Sequence, residues 1–168
     1  MSIISVLLFS TAMTTALVAG LLYAYSCSVN PGLGALPNRE YLLAMQSVNK
    51  EILNPLFFAS FMGSLVLLPC SAWALYKHHA SLGALILVCA FLLYLAGVFA
   101  VTMAGNVPLN DALASFNLHT ANQQELAGQR QMFEEPWNRY HTIRTIASVI
   151  TLAVVMLVCL YHTKGATG

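Results

Sequence analysis

Hydrophobic positions in this chain fall into four long blocks, 3–25, 55–76, 80–104 and 145–161, and none contains an Asp, Glu, Lys or Arg. A run of about twenty apolar residues, rising 1.5 Å per residue, matches the ~30 Å hydrocarbon core of a bilayer. Lipid cannot hydrogen-bond a backbone, so each block must be a helix that satisfies its own amides. The pattern predicts an all-α integral membrane protein, a single four-helix up-down-up-down bundle over residues 1–168. The links are unequal: 77–79 is a short turn, whereas 26–54 and 105–144 are long. In such a topology both long links leave the membrane on one side, and most of the polar chemistry collects there.

Periodicity inside the long links predicts amphipathic helices. Asn30-Pro31-Gly32 reads as a turn. Asn38 then reads as the N-cap of a helix over 39–53, because Tyr41, Leu42, Met45, Val48 and Ile52 recur at three- and four-residue steps. In the second link a polar stretch, 117–131, precedes Pro136, which suits the first position of a fresh helix leading into the last span. Ala12, Ala16, Gly20 and Ala24 form a small-residue stripe on span one, and Ala96, Ala100 and Ala104 form one on span three. Such stripes are expected where helices touch, since lipid supplies no hydrophobic drive for contact. Pro69 is expected to kink span two. Trp73, Tyr76 and Tyr161 sit at span ends, as interfacial aromatics do.

Composition narrows the function classes. Of 168 residues 58% are hydrophobic and 8% charged, against roughly 25% charged in soluble domains. A net charge of +1 carries no cationic footprint for nucleic acid, and that class is set aside. The first five residues lack a basic n-region, so the first block reads as a retained membrane helix. Cys27, Cys70, Cys89 and Cys159 form no C-x-x-C pair and read as small apolar core residues. The localisation expected is a plasma or inner membrane. The Lys and Arg count favours cytoplasmic long links, but Arg39 and Lys50 each stand beside a glutamate, which leaves the sidedness open.

Folding the spans together gathers four polar groups at one rim: Tyr25; Gln46, Asn49 and Asn54; Asn106 and Asn110; and Trp137, His141 and Arg144. Greasy walls with a few convergent polar groups are the usual form of a small-molecule site. Asn and Gln amides with an Arg suit a phenol or a developing enolate, and His141 is the ring base of the group. The candidate catalytic residues are His141, Arg144 and Asn106; Gln46, Asn49, Asn54, Asn110, Tyr25 and Trp137 are candidate substrate-binding residues. No metal site is expected, because no second His or carboxylate stands at ligand spacing from His141. No cofactor is expected either, with haem and quinone left open. Glu134 and Glu135 are read as facing solvent.

Several segments resemble the anthrone oxygenase-like family of small four-helix membrane proteins: 20–26 (Gly-Leu-Leu-Tyr-Ala-Tyr-Ser), 44–49 (Ala-Met-Gln-Ser-Val-Asn), 53–57 (Leu-Asn-Pro-Leu-Phe), 105–110 (Gly-Asn-Val-Pro-Leu-Asn) and 140–145 (Tyr-His-Thr-Ile-Arg-Thr). The resemblance implies an oxidoreductase of hydrophobic aromatic ketones that works without metal or flavin, with Asn49, Asn54, Asn106, Asn110, His141 and Arg144 as the positions of interest. The expected partners are the lipid bilayer, a hydrophobic small molecule, and a second copy or a larger membrane complex. The competing reading is a non-enzymatic binding protein or accessory subunit. A transporter ranks third, because Pro69 is the single hint of a broken span.

Overall fold

Residues that favour helix and lack a polar face force the apolar blocks into continuous rods, and the computed structural model shows five helices within residues 2–165. They are α1 (Ile3–Gly34), α2 (Asn38–Glu51), α3 (Pro55–Lys77), α4 (Ser81–Ser115) and α5 (Gln123–Gly165). Met1 and 166–168 lie outside the described residues. No strand occurs among those described. Four of the helices (α1, α3, α4 and α5) are long and apolar enough to cross a membrane, which makes this a multi-pass membrane protein.

The bundle is built as lipid demands. α1 and α4 each pack against both α3 and α5. Leu8, Val18, Leu68, Leu75, Leu87, Val98 and Val155 fill the interior, while Phe9, Leu17, Val66, Leu85, Leu92, Ile150 and Leu157 point outward. Small hydroxyl residues are buried among the core side chains. Thr11, Thr15, Ser64 and Thr151 each donate to the carbonyl four residues back, at 2.8–2.9 Å. Thr11 also meets Ser71 across the α1–α3 contact at 2.8 Å. Most of the two small-residue stripes is not in contact: Gly20, Ala24, Ala96, Ala100 and Ala104 face outward, while Ala12 packs against the core. The close approach of α4 and α5 is made instead by a different small pair, since a Cβ on Gly97 would lie 2.6 Å from the Ala147 Cβ. The cysteines differ too: Cys27, Cys70 and Cys89 are exposed on the outer helix faces rather than buried in the core.

Helix α5 has 43 residues and runs for about 65 Å, roughly twice the hydrocarbon thickness. Together with the far ends of α1 and α4 and the whole of α2, its first half builds a second layer beyond the bundle. That layer has its own core of Tyr41, Leu42, Met45, Leu113, Leu126, Phe133 and Trp137. Arg130 ties it together: it pairs with Glu134 at 2.6 Å, donates to the Gly34 and Leu36 carbonyls at 2.7 Å, and lies over the Tyr41 ring. Glu134 is thus half-buried and paired rather than solvated, whereas Glu135 is exposed as expected.

Two expected breaks are absent. Asn30-Pro31-Gly32 is helical, Pro136 lies mid-helix, and α5 begins instead at Asn122, whose side chain accepts from the Gln124 and Glu125 amides. The amphipathic helix starts at Asn38 itself, with Pro37 as its N-cap. A physical device carries α1 and α4 through their prolines. π-Helical segments at Tyr25–Val29 and Thr102–Asn106 each end two residues before a proline, Pro31 and Pro108. A proline lacks the N–H and crowds the carbonyl four residues back, and a locally widened turn relieves both.

Candidate functional site

Where the two cores meet there is a seam, and a cavity of about 100 Å³ lies in it. Leu21, Leu22 and Tyr25 of α1, Val48 and Asn49 of α2, and Phe57 of α3 form one side. Thr102, Asn106 and Asn110 of α4, with Trp137, His141 and Arg144 of α5, form the other. Most of the wall is apolar. Leu53, in the link between α2 and α3, also lines it and is 65% exposed.

Position on α5 arranges the main groups. Trp137, His141 and Arg144 recur at four- and three-residue steps, so they share one face. The His141 ring lies parallel to the Trp137 indole, with centroids 5.2 Å apart and an interplanar angle of 7°. Tyr25 leans on both rings. Asn110 accepts from the Trp137 indole N–H at 2.9 Å, and Asn106 donates to the Trp137 carbonyl at 3.3 Å. Gly105 permits this proximity, since a Cβ there would lie 2.7 Å from Cγ of Tyr140.

The site is buried and under-bonded. Asn106, His141 and Arg144 are 1%, 2% and 8% exposed. Arg144 reaches Thr102 Oγ1 at 3.3 Å and sits 5.7 Å from the Trp137 ring centre, but no carboxylate among the described residues pairs with it. Four buried side-chain atoms among the described residues lack any hydrogen-bond partner: Asn49 Nδ2, Asn106 Oδ1, His141 Nδ1 and Arg144 Nε. All four belong to residues lining this one cavity. Each such atom costs roughly 1–3 kcal/mol when left unbonded, and the four converge on this one cavity.

Seven of the nine candidate residues line the cavity: Tyr25, Asn49, Asn106, Asn110, Trp137, His141 and Arg144. Two do not. Asn54 caps α3, accepting from the Phe57 amide at 3.0 Å and donating to the Glu51 carbonyl at 2.8 Å. Gln46 holds the end of α4, donating to the Leu113 and Phe116 carbonyls. Both roles follow from orphaned backbone groups at helix ends, which attract the nearest amide. Conversely, Ser26, Thr102 and Thr145 were not expected in the site. Thr145, one turn after His141, was findable from spacing; Ser26 and Thr102 reach it on π-helical turns that periodicity does not reveal. Among the described residues no three His, Cys, Asp or Glu side chains converge to hold a metal.

A family model described as Anthrone oxygenase matches residues 56–154, more than half of the chain. The matched stretch contains Asn106, Asn110, Trp137, His141 and Arg144, all of which line the cavity. Neither the curated proteins nor the solved structures contain a significant match.

Proposed function

Because the chain belongs to the anthrone oxygenase family, we propose that it is a membrane-embedded oxygenase acting, without a cofactor, on a hydrophobic aromatic ketone or quinone-like molecule. The convergence of four unpartnered polar atoms on one greasy cavity carries this reading. An apolar wall accepts the rings, and the unpaired Arg144 guanidinium favours a ligand that becomes an anion. A buried cation without a counterion is costly, and a developing enolate oxygen supplies the missing charge.

The chemistry needs little from the protein beyond proton handling and charge placement. A CH₂ group across the ring from the ketone, and conjugated with it through the aromatic system, gives a proton to His141. Its electron pair delocalises onto the ketone oxygen, which accepts from Arg144 and from the unpartnered Asn49 amide nitrogen. The electron-rich carbon reduces dioxygen, forming a C–O bond and, after protonation, a hydroperoxide. Loss of the remaining C–H proton with cleavage of the O–O bond releases water and leaves a second ketone. The balance is CH₂ + O₂ → C=O + H₂O, with the substrate supplying all the electrons. Both reactants partition into lipid, and the cavity lies at the seam between the membrane bundle and the outer layer. At about 100 Å³ the cavity is below the ~300 Å³ of small drug-sized sites, so a tricyclic ligand displaces lining side chains.

Oxygen uptake by the detergent-purified protein with an anthrone tests this. Catalysed uptake that His141→Ala abolishes supports the reading; uptake by that variant at the parent rate overturns it. A second reading, a non-enzymatic binder of hydrophobic anions or an accessory subunit, draws on the same unpaired Arg144. Stoichiometric binding with no turnover would favour it.

A further inference from the structure

We propose that Ser26 and Thr145 are positioning residues that hold the His141 ring with its hydrogen on Nε2 and leave Nδ1 as the proton-accepting atom. This rests on His141 as the base, but it is carried by a separate set of bonds. Nε2 lies 3.0 Å from Ser26 Oγ and 3.3 Å from Thr145 Oγ1. A hydroxyl has one proton to give. Thr145 gives its proton to the His141 carbonyl at 2.9 Å, and Ser26 to the Leu22 carbonyl at 3.2 Å, each one turn back on its own helix. The two hydroxyls also lie 3.3 Å from each other; with their protons on the two carbonyls, both present lone pairs to Nε2, and a ring nitrogen facing two acceptors carries the hydrogen.

The other edge of the ring agrees. Nδ1 is buried and no partner bonds it. With hydrogen on Nε2, that edge offers a lone pair beside a cavity from which a substrate proton can come. The Trp137 stack fixes the plane of the ring, so the hydroxyls need only choose the tautomer. Ser26 is available for this because it lies in the π-helical turn Tyr25–Val29. Tautomer choice by the bond at the far nitrogen is the ordinary way a histidine is set for proton transfer.

Nitrogen-15 NMR of the ring in the full-length detergent-solubilised protein tests the assignment, with His141→Asn identifying the signal. The parent is expected to show one neutral tautomer, hydrogen on Nε2. Ser26→Ala combined with Thr145→Val should give a mixture, and Ser26→Thr should keep the parent form. In an oxygen-uptake assay an equal mixture lowers kcat by about twofold with KM unchanged, because half the rings are competent. Hydrogen on Nδ1 in the parent, or an unaltered tautomer in the double variant, overturns the proposal. The NMR signal needs no substrate, so failure to oxidise an anthrone sinks the oxygenase reading separately. Ser26→Ala alone, at an exposed position, guards against misfolding of the double variant.

Discussion

Gly105→Ala tests whether the close approach of α4 and α5 builds the site. A Cβ at position 105 would lie 2.7 Å from Tyr140 Cγ and 2.8 Å from both Cδ atoms. Carbon atoms rest at about 3.5–4.0 Å, so the ring or the helix must move by about 1 Å. Cγ is attached directly to Cβ of Tyr140, and relief therefore requires a new χ1 or a helix shift. Overpacking of this kind costs about 1–3 kcal/mol, or on the order of 5 °C in melting temperature for a chain of this size. The next residue is Asn106, and the residue after Tyr140 is His141, so the displacement passes straight into the cavity. A misplacement of about 1 Å is worth up to ~100-fold in rate. Tyr140→Ala in the same chain removes the three atoms the methyl meets first and should restore much of the stability. Gly20→Ala, where nothing lies within 4 Å, is the control and should melt like the parent. Thermal unfolding by circular dichroism, with oxygen uptake alongside, measures both effects. If Gly105→Ala melts and turns over like the parent, the close approach is not what shapes the site.

Three further outcomes are expected. Asn54→Ala should lower stability by about 1 kcal/mol through loss of the α3 cap, yet leave ligand affinity unchanged; a large loss of affinity would return Asn54 to the binding residues. Arg144→Met should melt no lower than the ligand-free parent, because an unpaired buried cation is removed; it should lose the melting-temperature rise that an anionic phenol or enolate ligand gives the parent. Burial, helped by Glu134 and opposed by Arg130, raises the Tyr41 phenol above its ordinary value of 10.0. A pKa raised on folding gives stability that is full below the unfolded value and is lost as pH climbs toward the folded one. Tyr41→Phe should therefore outlast the parent above about pH 10 in an alkaline melting series, and equal losses in both would contradict this.

The blocks without charge were enough to establish an all-helical membrane chain, since lipid leaves an apolar run of twenty residues no other way to bond its backbone. The quartet Asn106, Trp137, His141 and Arg144 was legible for a similar reason: few polar side chains exist, and those beside a span end have few places to go. Boundaries were harder to read. Pro31, Pro108 and Pro136 are local signals for a break, yet each lies within a continuous helix because tertiary packing holds the segment on both sides and, for the first two, a π-helical turn absorbs the missing N–H. Gln46 and Asn54 looked like ligand-binding amides and became helix-end partners, a choice made by which backbone groups the fold left unpaired. The sequence alone thus determined which segments enter lipid and which residue types gather at their rim. The tertiary structure alone decided that two separate cores meet there, that Arg144 finds no carboxylate among the described residues, and which atoms stay unbonded, because those depend on distances between helices that no pattern along one chain contains.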